Sequence, residues 1–498
     1  NGNETAVGFG VSMDRVSQIR DPYLDIQYRS QSADCSYTNR LQTALNSLSK
    51  VLDETTISGI RQAFDDVLST LTSMQDPAKV SDPIYESELR TKMQSVCNLF
   101  NQASRQITQA EQNEFQRLTG EGSSEQGDVQ KINDILRQIG DLNVQIKRNQ
   151  VAGHPSLELQ DKRNLLLDEL SGYIPVETRY YKDDAHSGNN AYDHDANGAV
   201  IGKKDWPDDL EVSMNYIDAK GKSQKLILVN GSDLGADGLT KNYGQLSVLK
   251  GDHQTAASVS DPANISIKFE KAPSYKGNGQ AATNNVYAEL KGIRFEGGSL
   301  QASLDMLQKT GTGNVINGST AVDDVRGYQY YSGKLDQSTF AKSMNDINNG
   351  KKHTDKNLLS NSTNDSTTGI TAGNIGISKG WTSGTVHIST DGTNRTDTIL
   401  DMITAMKDTK KLNGKTFADY MNNLSTQLAS DSSSNQTALK TGTTVLNSIQ
   451  DSRDSLSGVS LDEEATNMMA YVSAYNAASR LMTALDEVLN TLISNTGA

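Results

Sequence analysis

The sequence predicts an α+β protein with long helices on either side of a β-rich middle segment and one further long helix at its end. Apolar residues recur every three or four positions over most of residues 1–174 and 298–457, which is the helical period. Residues 175–297 instead combine short alternating runs with many Gly, Asn and Asp residues, as strands and turns do. Residues 458–498 carry a single helical stripe. We therefore expect an elongated multidomain protein with a discontinuous long-helix bundle, an inserted all-β domain and a C-terminal amphipathic coiled-coil helix.

Residues 1–174 are predicted to form the first part of the helical bundle. Asp21 and Pro22 suit the N-cap and first position of a helix. Further stripes then predict long amphipathic helices with short connections, as in an elongated bundle. These stripes cover residues 37–52, 60–74, 89–107 and 132–146.

Residues 175–297 are predicted to be an inserted, β-rich outer domain. Alternating or β-branched runs at 211–216 and 225–229 surround a turn at 218–221. Further strands are predicted at 265–269, 286–288 and 293–295.

Residues 298–457 are predicted to complete the helical bundle. Helical periods return around Leu300 and Phe340, and again at 399–406, 417–428 and 438–456. Between them we expect a polar loop at 357–369 and strands at 375–378 and 386–388.

The segment 458–498 is predicted to be a C-terminal inner coiled-coil helix. Ser460 and Glu463 form a potential capping box, and acidic residues fill the first turn, where the helix dipole favours them. Two interpretations are open: a core helix of this chain, or a terminal helix that pairs with another terminus or subunit. Its terminal position and unusual length favour the second. The predicted subunit interface is the apolar stripe of Leu461, Ala465, Met468, Val472, Tyr475, Ala478, Met482, Leu485, Leu489 and Leu492.

Composition narrows the possible classes of function. The chain has 498 residues and a net charge of −14, which argues against nucleic acid or an anionic membrane as a partner. No apolar run approaches the length of a membrane span, and no signal-peptide pattern is present. The two cysteines, Cys35 and Cys97, lie in helical patterns, so we expect both thiols to be unpaired.

Two segments resemble ligand-binding motifs, but each lacks a residue that the motif requires at a fixed position. Residues 193–198 begin like a calcium loop, but Lys204 stands where a bidentate Glu is needed, so a hairpin with an Asn-Gly turn is favoured. Residues 413–416 end like a phosphate loop, but Thr409 replaces its first Gly, which favours a simple connection between helices. We therefore expect no catalytic residue, metal site or cofactor, and no enzymatic activity.

Several strings resemble one family of proteins. The strings 457–465 (SGVSLDEEA), 470–480 (AYVSAYNAASR) and 486–493 (DEVLNTLI) resemble the C-terminus of bacterial flagellar axial proteins, above all the hook-associated protein 1 family of the hook–filament junction. The strings 19–29 (IRDPYLDIQYR), 159–170 (LQDKRNLLLDEL) and 448–459 (SIQDSRDSLSGV) are also similar to that family. The resemblance covers about 19–173 and 298–498 and is poor in the middle.

The resemblance implies a structural subunit that joins hook to filament by self-assembly and helix packing. The implied partners are other copies in a tubular ring, the hook protein, the second junction protein and an export chaperone at the C-terminal helix. It also implies an extracellular location on the flagellum, reached by type III export without a cleaved signal peptide. The family's usual N-terminal helix, which would pair with the C-terminal one, is expected to be missing here. Two alternatives stay open: another axial protein, such as a flagellin or the second junction protein, or an axial protein with an enzymatic insertion in its middle domain.

Overall fold

The computed structural model describes two compact units, one formed by Tyr28–Leu446 and the other by Asn1–Gln27 with Asn447–Ala498. The described residues run from 21 to 496. The gaps are 53, 153–155, 183–191, 195–199, 204–207, 218–221, 232–241, 253, 271–274, 277–279, 282–286, 290–293, 312–313, 317–318, 322–324, 336–337, 351, 410–414 and 458–460. Residues 1–20 and the predicted turn at 218–221 therefore lie outside the described residues.

Helices occur wherever the sequence shows long helical stripes. The first set contains α1 Pro22–Val51, α2 Glu54–Ser73, α3 Pro83–Thr119, α4 Asp128–Val151 and α5 Leu157–Tyr173. The second set contains α6 Gly298–Gln308, α7 Tyr328–Lys334, α8 Ser338–Asn349, α9 Lys379–Ser383, α10 Asp397–Lys407 and α11 Phe417–Ser457. The last helix is α12 Leu461–Thr496. The predicted α+β class is confirmed.

Strands occupy the middle of the chain, with two short pairs further on. They are β1 Glu177–Lys182, β2 Tyr192–His194, β3 Val200–Lys203, β4 Asp208–Ile217, β5 Ser223–Asn230, β6 Gln245–Lys250, β7 Ile265–Glu270, β8 Tyr275–Lys276, β9 Gln280–Ala281, β10 Tyr287–Glu289, β11 Arg294–Phe295, β12 Asn314–Ile316, β13 Ser319–Ala321, β14 Leu359–Asn361 and β15 Ile375–Ile377. One sheet has the order β1-β4-β11 with β5 also on β4, and another has the order β10-β7-β6. The remaining strands form antiparallel pairs, including β2 with β3 and β14 with β15.

The predicted strand at 386–388 is wrong. This segment has no strand structure. The side chain of Asn348 forms hydrogen bonds with backbone groups in and next to the segment instead. Asn348 Nδ2 donates to the carbonyl oxygen of His387 at 3.2 Å, and its Oδ1 accepts from the backbone N–H of Ser389 at 2.8 Å. The predicted loop at 357–369 is also partly wrong, because it contains β14, which pairs with β15.

Strands and helices share one hydrophobic core within the unit Tyr28–Leu446. Asn133 of α4 completes the edge of β6, because its side chain donates to the carbonyl oxygen of Leu246 at 2.8 Å and accepts from the same residue's N–H at 2.7 Å. Asn143, also on α4, donates to the carbonyl oxygens of Leu210 and Gly231. These side chains act as extra strand partners and hold both sheets against α4. The predicted domain boundaries at residues 174, 297 and 457 stay predictions.

Both cysteines are free and buried, as predicted. Cys35 lies on α1, where Gly442 of α11 approaches so closely that a Cβ there would stand 3.0 Å from the Cys35 sulfur. Cys97 lies on α3, and burial raises the pKa of its thiol to about 12. Both residues therefore behave as small apolar core residues.

Candidate assembly surface

The candidate functional surface is α12, the helix that carries the predicted interface stripe. It runs from Leu461 to Thr496, and no Pro or Gly interrupts it. The side chains of its first four residues, 461–464, lie outside the described set. The predicted N-cap, Ser460, lies outside the described residues.

Every described side chain from residue 465 to 494 on α12 is exposed. Met468 is 65% exposed and Tyr475 is 75% exposed, although both are large apolar or aromatic side chains. The side chain of Leu461 lies outside the described set. The other predicted interface residues are all exposed: Ala465, Val472, Ala478, Met482, Leu485, Leu489 and Leu492. The stripe is therefore accessible over the full described length of the helix.

Sequence reasoning missed a second group of exposed apolar residues on α12. Tyr471, for example, is 76% exposed and lies off the stripe. The other members of this group are Met469, Leu481, Val488 and Ile493. All five directly adjoin a stripe residue, in pairs such as Met468-Met469 and Leu492-Ile493. Neighbouring residues point about 100° apart around a helix. These adjacent pairs are the signal that could have revealed a wide apolar surface. A helix with so wide an apolar surface is better suited to packing against several neighbouring helices than to pairing with one helix along a narrow stripe.

The remainder of this compact unit includes the start of α1 and the end of α11. Asp21 caps α1 as predicted, since its Oδ1 accepts from the backbone N–H of Tyr23 at 2.8 Å. One turn further on, Asp25 forms an ion pair with Arg453 of α11 at 2.9 Å between carboxylate oxygen and guanidinium nitrogen. Both side chains are nearly buried, at 13% and 12% exposure, so this pair is protected from solvent screening. It fixes the start of α1 beside the end of α11.

The two motifs considered from the sequence, at 193–198 and 413–416, both extend outside the described residues. No group of three or more His, Cys, Asp or Glu side chains among them could hold a metal ion. β2 and β3 form the predicted hairpin, whereas its turn at 195–199 lies outside the described residues. The segment 410–414, which contains most of the weak phosphate-loop match, also lies outside. Among the helices that are described, none combines the length and apolarity needed to cross a bilayer.

Comparisons with known families match two parts of the chain. Residues 45–226 match the model of the flagellar hook-associated protein FlgK helical domain. Residues 451–495, which include nearly all of α12, match the model of the flagellar basal body rod FlgEFG protein C-terminal region.

Two individual proteins are similar to this chain. Flagellar hook-associated protein 1 of Bacillus subtilis (strain 168) is 27% identical over 503 residues, covering 100% of this chain and 88% of that protein. The solved structure of the flagellar hook junction protein FlgK from Burkholderia pseudomallei is 18% identical, with a TM-score of 0.40. That alignment covers 68% of this chain and 45% of the solved chain.

Proposed function

We propose that this chain is a structural subunit of the bacterial flagellum that joins hook to filament. It is similar along its whole length to flagellar hook-associated protein 1 of Bacillus subtilis, and residues 45–226 match the FlgK helical-domain model. The proposal rests on one observation above all. The terminal helix α12 exposes apolar side chains from Met468 to Ile493, on and beside the predicted stripe. Soluble monomers rarely expose so large an apolar surface, so it favours burial against other subunits.

The proposed mechanism is packing geometry. Copies of α12 interlock at the inner face of a tubular ring, and the helices α1–α11 form the wall of the tube. The β-rich segment 175–297 faces outward. Burying a Met or Leu side chain contributes about 2 kcal/mol, so several such contacts in each subunit would offset the loss of freedom on assembly.

The proposed neighbours are other copies of this chain, the hook protein and the second junction protein. An export chaperone would cover α12 before assembly, because an exposed apolar helix invites premature association. We further propose that the protein is exported to the flagellum outside the cell without a cleaved signal peptide. Nucleic acid and membrane are not proposed as partners.

A sibling role among flagellar axial proteins is the alternative. The match of residues 451–495 to a rod-protein model favours it, because that C-terminal region is not specific to junction proteins. The match of residues 45–226 is to the FlgK helical domain and supports the junction role instead. We propose a structural rather than an enzymatic role, since both matched families are described as parts of the flagellum.

The first prediction tests α12 as the assembly surface. Met468→Asp together with Leu485→Asp should abolish filament growth beyond the hook, because two carboxylates would have to be buried in the subunit interface. The measurement is electron microscopy of flagella on cells that carry the variant as their only copy. Thermal melting of the purified variant should match that of the unmodified protein, because these side chains are 65% and 48% exposed.

Asn476→Asp together with Asn490→Asp is the matched control. It adds the same negative charge to α12 through exposed polar residues and should leave filament growth intact. Normal filaments on the Met468→Asp, Leu485→Asp cells would refute the proposed assembly surface.

A further inference from the structure

A small basic pocket lies between α7 and the first turns of α11, within the unit Tyr28–Leu446. Its volume is about 140 Å³. We call it the lysine pocket. Its lining residues are Tyr330, Lys334, Lys415, Tyr420, Asn423, Leu424 and Gln427.

The two lysines of this pocket have no carboxylate within ion-pair distance among the described residues. They differ in this respect from Arg326, whose guanidinium carbon lies 5.6 Å from the centre of the Tyr330 ring, which Lys334 also contacts. Arg326 Nη1 is 2.6 Å from Asp431 Oδ1, so its charge is already balanced. Lys334 and Lys415 therefore leave two positive charges at the wall of a half-enclosed pocket.

The surrounding contacts hold these charges in place. Lys334 Nζ lies 5.4 Å from the centre of the Tyr330 ring, a cation–π contact that restricts the lysine side chain. The Tyr330 ring packs edge-on against Tyr331, with 5.2 Å between ring centres, and the Tyr331 hydroxyl donates to Asp431 at 2.8 Å. A group that is already ordered loses less entropy when it binds a ligand.

Lys415 is positioned by the start of α11. The Thr416 hydroxyl accepts from the backbone N–H of Asp419 at 3.1 Å and donates to the Asp419 carboxylate at 2.8 Å. This reciprocal cap defines where the helix begins, directly after Lys415. The Asp419 carboxylate is engaged in the cap, and Asp431 is engaged by Arg326, Tyr331 and Gln427.

We propose that the lysine pocket binds an Asp or Glu side chain of a second copy of this chain. The proposal rests on the self-assembly proposed above and names a polar contact in addition to the apolar contacts of α12. A carboxylate suits two ammonium groups with Tyr330 and Asn423 beside them. A chain of net charge −14 repels its own copies, so assembly requires places where negative surface meets positive surface.

Zero-length cross-linking tests the proposal directly. Equal amounts of unlabelled and nitrogen-15-labelled full-length protein are mixed at a concentration at which sedimentation shows oligomers. They are then treated with a water-soluble carbodiimide, which joins a lysine to a touching carboxylate. Mass spectrometry should find a mixed-isotope amide between Lys334 or Lys415 of one copy and an Asp or Glu of another. Mixed-isotope amides at other lysines only would overturn the proposal while leaving self-assembly intact.

Charge reversal provides the second measurement. Lys334→Glu with Lys415→Glu should weaken self-association about tenfold or more in sedimentation, and the unmodified protein should lose affinity as salt is raised. The matched control is Lys352→Glu with Lys407→Glu, which changes the net charge equally at exposed lysines elsewhere and should have a smaller effect. Equal effects of the two double variants would overturn the lysine pocket. An unmodified protein that stays monomeric at every concentration would overturn the proposed function as well.

Discussion

At the scale of single residues, the side chains of buried asparagines form hydrogen bonds with backbone N–H and carbonyl groups that a neighbouring strand would otherwise satisfy. Asn345 of α8 is the clearest example, with a side chain only 4% exposed. Its Oδ1 accepts from the backbone N–H groups of Leu358 and Leu359, both at 2.9 Å. Its Nδ2 donates to the carbonyl oxygen of Leu359 at 2.7 Å. One amide side chain thus satisfies three backbone groups at the start of β14.

We expect Asn345→Ala to lower the free energy of unfolding by about 3 kcal/mol, because it leaves buried backbone groups without partners. Chemical denaturation followed by fluorescence would measure the change. Asn113→Ala is the control, because Asn113 is exposed and its side chain accepts a hydrogen bond from Gln109 on the same helix. This variant should cost less than about 0.5 kcal/mol. Equal costs for the two variants would show that the Asn345 contacts contribute no special stability.

At the scale of elements, four phenylalanines connect helices from both ends of the unit Tyr28–Leu446. Phe64 of α2 stacks on Phe417 of α11 with 5.9 Å between ring centres, and meets Phe340 of α8 edge-on at 5.2 Å. Phe100 of α3 packs against the Phe64 ring, with 5.9 Å between ring centres. All four side chains are buried. The two helical segments therefore share a core although the β-rich segment separates them in sequence.

We expect Phe64→Ala to lower the free energy of unfolding by about 4 kcal/mol, because it removes a large buried ring and leaves a cavity. Two probes should report one shared transition in denaturant. The probes are fluorescence from the tryptophans, including the buried Trp381, and the reactivity of the buried Cys97 thiol on α3. Separate midpoints for the two probes would contradict the predicted single discontinuous helical domain.

At the scale of the whole molecule, the two compact units differ in what stabilises them. The unit Tyr28–Leu446 has an extensive buried core, whereas the described side chains of α12 are all exposed. A helix without buried contacts has little to oppose its opening, because most helical stability comes from packing. The two units should therefore open with very different free energies.

We expect hydrogen exchange in dilute, monomeric protein to be fast for residues 461–496 and slow for the buried turns of α3. Raising the concentration to the point of self-association should slow exchange in α12 and leave α3 nearly unchanged. Strong protection of α12 in the monomer would mean that it packs within its own chain. The interpretation of this helix as an intersubunit surface would then be wrong.

The sequence alone determined the elements whose cause is local. Helical period predicts the long helices because side chains three and four residues apart lie on one face, and Asp21 with Pro22 marks the start of α1. The alternating runs that become β4, β5 and β7 are equally local. The ten residues predicted for the interface could also be identified from the sequence, because the helical period that defines the stripe is a local pattern. Those with described side chains are all exposed.

Only the tertiary structure decided features that depend on distant partners. Residues 386–388 look like a strand, yet Asn348, some forty residues earlier, bonds the backbone there. The lysine pocket joins α7 to α11, so no local pattern connects Lys334 with Lys415. The wide apolar surface of α12 depends on both sources of information. Its apolar residues can be identified from the sequence, but their exposure depends on which elements pack against them. Periodicity describes one element at a time, whereas burial and charge balance depend on every element that surrounds a residue.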